Sequence, residues 1–193
     1  MNSRTRSTPY TILGFLSLAP MSGYDIRKEA ETSIGYFWSE SFGQIYPALR
    51  ELVARGWIKR RAGRGDGNRD RHVYDITERG RDALSAWRAE PPREAPFRNE
   101  LLLKLFFGGR DAVGSEEEWI EGLLAREQEA LRDFARIRAQ VTKEHPKHPS
   151  LPFWLMTLSY GEHRSRALLR WGRETQKTLR AMKRGAEKRG STR

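Results

Sequence analysis

The change of pattern at Gly56 constrains this chain more than any other feature of its sequence. Ahead of it, apolar residues recur at helical spacing in three segments, marked by Ile12, Leu13 and Leu16, by Tyr24, Ile26 and Ala30, and by Phe42, Ile45, Leu49, Leu52 and Val53. Beyond it, residues 57–61 and 72–76 are short apolar and basic runs on either side of a loop rich in Gly and Arg, as two strands of a hairpin require.

The punctuation sets the boundaries. The first helix is predicted over residues 7–18, with Ser7 or Thr8 as cap, Pro9 in the first turn and Ala19-Pro20 as terminator. The second opens at Ser22-Gly23 and runs to Ile34-Gly35, followed by the aromatic run Tyr36, Phe37, Trp38. The third begins near Ser41, where Ser41 and Gln44 have the spacing of a capping box. Pro47 sits awkwardly there, because a proline inside a helix costs about 3 kcal/mol, so the regular helix either starts close to Tyr46 or is kinked. Thr77 to Gly80 caps a fourth helix with Ala83, Leu84 and Trp87 on its apolar face, and Pro91, Pro92 and Pro96 then mark a domain boundary. Two domains are expected, residues 1–90 and 91–193.

In the second domain an apolar segment, residues 101–107, precedes a long helix over residues 115–143 with a seam of Ile120, Leu123, Glu127, Leu131, Phe134, Ile137 and Val141. After Pro146, Pro149 and Pro152, heptad steps along the last helix meet only apolar or small residues, as a helix pressed on a partner helix needs. Leu155, Leu158, Ser165, Leu168 and Leu179 on that seam are the predicted dimerisation residues. Residues 184–193 are expected to form an unordered basic tip.

A net charge of +11 points to an anionic partner, nucleic acid ahead of a membrane surface. The charge is unevenly placed: residues 164–193 carry eleven Lys and Arg against two Glu, whereas residues 111–131 carry seven acidic side chains against one Arg. With no cysteine there is no disulfide, thiolate metal site or cysteine nucleophile, and no run of 18 apolar residues spans a bilayer. A cytoplasmic protein without cofactor or metal is expected. His145 and His148 flank Pro146-Lys147 without the carboxylate or cysteine pattern of a metal site, and read as turn residues. No phosphate-loop, dinucleotide or hydrolase motif is present, so an enzyme is not expected.

Three helices followed by a hairpin with a basic tip is the order of a winged helix-turn-helix, in which the third helix enters the major groove and the wing lies beside it. The predicted fold class is therefore mainly α with a small β-hairpin, continued by a domain of long helices. On the third helix Ser41, Gln44, Tyr46 and Arg50 lie off the apolar positions and suit base edges and phosphates. Lys59, Arg64, Asn68, Arg69, Arg71 and His72 are the wing candidates, interleaved with glycines that allow close backbone approach to a phosphate.

The sequence resembles the PadR family of bacterial transcription regulators. The likeness is carried by Thr11 to Leu16, Ser22-Gly23-Tyr24-Asp25-Ile26, Gly43-Gln44-Ile45-Tyr46-Pro47-Ala48-Leu49, Gly56-Trp57-Ile58, and Tyr74-Asp75-Ile76-Thr77 with Gly80. Leu101 to Gly108 and the two long helices are similar to the virulence-activator-like C-terminal domain of one branch of that family. The resemblance implies a homodimer that binds double-stranded DNA at a roughly palindromic operator and represses. It also implies a small-molecule effector near the dimer interface, for which Tyr36, Phe37, Trp38 and Trp154 are the candidate lining, although core or dimer packing is the preferred role of these aromatics. The alternative is a protein-interaction module that uses the helical arm and has only nonspecific affinity for DNA.

Overall fold

A computed structural model describes residues 3–38, 42–63, 71–93, 97–109 and 113–190. The chain divides into two compact units, Met1–Ala95 and Pro96–Arg193. The first contains α1 (Ser3–Leu18), β1 (Met21–Ser22), α2 (Gly23–Ser33), a 3-10 turn (Phe42–Gln44), α3 (Ile45–Ala54), β2 (Ile58–Gly63), β3 (Arg71–Ile76) and α4 (Glu78–Ala89). This is a winged helix-turn-helix: three helices, then an antiparallel hairpin.

Local chemistry explains most of the boundaries. Ser22 caps α2, its hydroxyl accepting from the Asp25 N–H at 3.2 Å while its own N–H donates to Asp25 Oδ2 at 3.1 Å. The capping box therefore sits at Ser22–Asp25. At the start of α3 the 3-10 turn leads into the helix and Gln44 makes no side-chain cap, while the capping box suggested at Ser41 lies outside the described residues. Pro47 is only the third residue of α3, where a backbone N–H would have no partner within the helix, so the proline interrupts no ladder bond. Gly56 ends the helix with φ +68, a conformation in which a Cβ would be strained.

The hairpin carries one strand that the sequence did not reveal. Among the described residues the sheet order is β1-β3-β2, with Met21 opposite Tyr74 and Ser22 opposite Val73. Two residues are too few to show a period, and β1 exists only because β3 offers it an edge. In β2 and β3, Ile58 pairs with Ile76, Lys59 with Asp75, Arg60 with Tyr74 and Arg61 with Val73.

The core of this unit joins Ile12, Leu13, Phe15 and Leu16 of α1, Ile26 and Ala30 of α2, Ile45, Ala48, Leu49 and Leu52 of α3, and Ile58 and Ile76 of the sheet. Tyr24 and Val53, which helical spacing placed on apolar faces, are exposed. The Tyr10 ring stacks on Trp87 with centroids 5.0 Å apart, which ties α4 to α1.

The second unit contains α5 (Glu100–Phe106), α6 (Val113–Glu144) and α7 (Leu151–Gly190). The two long helices pack along their length. Small residues on α7 let them approach: a Cβ on Gly161 would stand 2.7 Å from the Phe134 ring, and one on Gly172 would stand 2.8 Å from Leu124. Between them Ser165 donates to buried Glu127 at 2.6 Å. α7 remains helical to Gly190, where an unordered tip from residue 184 was expected. Residues 181–184 and 186–189 are strong helix formers, so helix propagates past Gly185. Among the described residues no helix is long and apolar enough to cross a membrane.

Candidate nucleic-acid interface

α3 has two chemically distinct sides. Ile45, Ala48, Leu49 and Leu52 recur at i, i+3, i+4 and i+7 and are buried, which fixes the rotation of the helix. That rotation leaves Gln44, Tyr46, Arg50 and Glu51 exposed. Tyr46 is 56 % exposed although its ring lies against the start of α2. A Cβ on Gly23 would meet Tyr46 Cε1 at 3.0 Å and Leu49 Cδ1 at 3.1 Å, so glycine there makes the seat for both side chains. Arg55 closes the helix, paired with Glu51 and standing 5.0 Å above the Trp57 ring.

The hairpin presents cations on both of its faces. Lys59, Arg61 and Asp75 share one face, where Asp75 Oδ2 accepts from Arg61 at 2.6 Å and lies 3.8 Å from Lys59 Nζ. Arg60 and His72 share the other, in contact with one another. Of the residues singled out in the sequence, Tyr46 and Arg50 are exposed on α3 and Gln44 at its N-cap, and Lys59 and His72 are on the hairpin. Ser41, Arg64, Asn68 and Arg69 lie outside the described residues, and Arg71 is placed in β3 by its backbone alone. Sequence reasoning missed Gly23 and Asp75 as parts of this surface. The opposite charges of Lys59 and Asp75 were a signal, but only the strand register shows that they face each other.

The remaining predicted residues are placed differently from expectation. Leu158, Ser165 and Leu179 are buried within this chain, so they are not available at a surface for a partner. The heptad seam is satisfied by α6, because a spacing that suits a partner helix suits an antiparallel neighbour of the same chain equally well. Leu155 and Leu168 are half-buried on the same helix. Tyr36 and Trp38 are half-buried and Phe37 is exposed in the turn after α2, outside the buried cluster that core packing would have given them. Trp154 stacks on His148 at 4.6 Å and meets His145 edge-on at 5.7 Å, at the turn joining α6 to α7. Among the described residues no group of three or more acidic or histidine side chains is placed to hold a metal ion.

Comparison with known proteins gives this arrangement its relatives. Residues 12–86 match the transcriptional regulator PadR-like family, and residues 97–180 match the virulence activator alpha C-terminal family. The negative transcriptional regulator PadR of Bacillus subtilis is 35% identical over 104 residues, 53% of this chain and 57% of that protein. A probable transcriptional regulator of Mycobacterium tuberculosis is 37% identical over 83 residues, 43% of this chain and 44% of that protein. The chain thus matches about half the length of these curated relatives. Of solved structures, B. subtilis PadR in complex with operator DNA superposes with a TM-score of 0.74 at 24% identity, covering 89% of this chain and 98% of that one. The same regulator is also known in complex with p-coumaric acid, with a TM-score of 0.69 at 23% identity over 93% of this chain and 98% of that one. The Vibrio cholerae virulence activator AphA superposes with a TM-score of 0.70 at 27% identity, covering 91% and 99%. The curated relatives are transcriptional regulators, and one of them, B. subtilis PadR, is solved on operator DNA.

Proposed function

The chain carries a PadR-like domain followed by a virulence activator alpha C-terminal domain, and on that premise we propose that it is a sequence-specific transcriptional repressor that binds a roughly palindromic operator as a homodimer. The observation that carries the proposal is the two-sided α3: one side is buried in the core, and the other offers Gln44, Tyr46 and Arg50 to solvent beside a hairpin rich in cations. Gln and Arg read base edges bidentately, and Tyr suits a phosphate oxygen. His72 and Arg71 of the hairpin, with Arg64, Asn68 and Arg69 between its strands in sequence, would supply sequence-independent grip.

Selection of bound fragments from a random DNA pool, followed by titration of the enriched fragment at two salt concentrations, tests the reading. An inverted repeat is expected. Arg50→Ala or Tyr46→Ala is expected to weaken binding to it about tenfold to a hundredfold, as the loss of one good base or phosphate contact does, without changing oligomeric state. Normal binding by both variants would remove α3 from the interface, and binding that shows no preference and vanishes with salt would leave only a basic protein.

The second unit would supply the dimer contact. With the buried seam of α7 occupied by α6, an exposed apolar stripe on the same helix is Phe153, Met156 and Tyr160, at i, i+3 and i+7. Phe153→Lys with Tyr160→Lys is expected to yield a folded monomer by sedimentation; an unaltered dimer would place the contact elsewhere. The interaction-module alternative draws on exposed Leu103, Phe106 and Phe107 in and just after α5, which would suit an unrelated protein. An aromatic effector is the remaining element. B. subtilis PadR is known with p-coumaric acid, and by that likeness this chain would respond to an aromatic ligand, for which Tyr36, Phe37 and Trp38 after α2 are the aromatic residues of the first unit.

A further inference from the structure

Asp75 stands out on a hairpin otherwise suited to grip DNA. Its side chain is 17 % exposed, it lies directly across from Lys59 in the register, and it reaches diagonally to Arg61. Two cations on one face are therefore engaged by a single carboxylate, Arg61 at 2.6 Å and Lys59 at 3.8 Å. Ion pairs whose cations are this exposed add little to the stability of a fold. Their effect on a polyanion is larger. A carboxylate beside the guanidinium repels phosphates within a Debye length of about 8 Å and occupies a donor that a phosphate oxygen would otherwise take.

We propose that Asp75 is a specificity-determining residue that holds Arg61 and Lys59 to the sheet and so limits the sequence-independent affinity of the hairpin for DNA. The inference rests on the reading of this unit as a DNA reader. Its logic is a difference between two complexes. Nonspecific binding consists almost entirely of phosphate contacts, so every released cation finds a phosphate there. In the operator complex α3 sets the orientation, and Arg61 adds a contact only where the docked geometry brings a phosphate to it. Withholding two cations therefore costs the nonspecific complex more than the specific one, and it widens the ratio between them.

The test is titration of the full chain and its Asp75→Asn variant against the selected operator and against a random-sequence duplex, over a range of salt. The variant is expected to bind the random duplex about fivefold more tightly. The slope of log affinity against log salt should steepen by about 0.9 for each hairpin that gains a phosphate contact. Operator affinity should rise less, so that the specificity ratio falls. Adding Arg61→Gln and Lys59→Gln together to the variant should return the slope to its original value. Random-duplex affinity and slope that do not change, or that fall, would overturn the inference while the operator preference of the original protein leaves the DNA-binding reading intact. An original protein that prefers no sequence overturns both. Should Asp75→Asn fail to fold, Arg61→Gln alone decides: a slope unchanged on the random duplex supports the withdrawn cation, and a slope shallower by about 0.9 refutes it.

Discussion

Gly80→Ala is expected to destabilise the first unit severely. Gly80 lies in the first turn of α4, which is drawn onto the end of α3 by Thr77: the threonine caps the Gly80 N–H at 3.2 Å and donates to the Gly56 and Trp57 carbonyls at 2.8 and 3.0 Å. The approach is so close that a Cβ on residue 80 would stand 2.9 Å from Ile76 Cγ1 and 3.0 Å from the Trp57 carbonyl carbon, with the Trp57 oxygen nearer still. Backbone cannot swing aside as a side-chain end can, so the substitution must part α4 from the hairpin or distort the turn that Gly56 makes. The cost is about 3 kcal/mol or more, the upper end for forced overpacking. For a unit of this size that corresponds to a fall of about 15 °C in its melting transition. Thermal unfolding followed by circular dichroism measures it. Gly14→Ala is the control, since a Cβ there meets nothing within 4 Å, and this helix-interior replacement should stabilise by about 0.5–1 kcal/mol. A Gly80→Ala protein that melts with the original would show that the Trp57–Gly80 approach is not a constraint on the fold.

Leu158→Asp is expected to be at least as damaging to the second unit, and in a manner that separates two roles for α7. Leu158 is 3 % exposed, one turn from the point where Gly161 admits the Phe134 ring. A carboxylate in that apolar position forfeits the leucine burial and must either stay unpaired or drag water between the helices, a loss on the order of 4–5 kcal/mol. The expected result is loss of far-UV helical signal from the α6 and α7 pair. Phe153→Asp, at a residue 60 % exposed on the same helix, should keep that signal. If Leu158→Asp instead gave a fully helical monomer, Leu158 would be facing a second chain rather than α6.

The contrast between Leu158 and Phe153 shows where sequence reasoning stopped. Heptad stepping ran from Leu151 to Met182, and of its ten positions Leu158, Gly161, Ser165, Gly172 and Leu179 are buried, Leu151, Leu155, Leu168 and Thr175 are half-buried, and Met182 is exposed. It could not say which helix the seam meets, because periodicity reports a face and not its occupant. Placement of the caps fared unevenly for a related reason. Thr77 caps α4 as its spacing with Gly80 suggested, whereas the S-x-x-D spacing at Ser22 was not read as the capping box it forms. Gln44, already in the helical region with φ −89 and ψ −16, precedes α3 without a side-chain cap.

Determined by the sequence alone were the helices of the first unit, the two main strands and most of the buried side of α3, since each depends on interactions between residues a few positions apart. The family likeness at Tyr46-Pro47 belongs with them. Decided only by the tertiary structure were the third strand at Met21–Ser22, the pairing of Lys59 and Arg61 with Asp75, the seat that Gly23 makes for Tyr46, and the engagement of the α7 seam by α6. Each of these joins segments far apart in the chain. Such contacts form only when loop-closure entropy has been overcome by burial elsewhere, and no local spacing records which distant residue will be waiting.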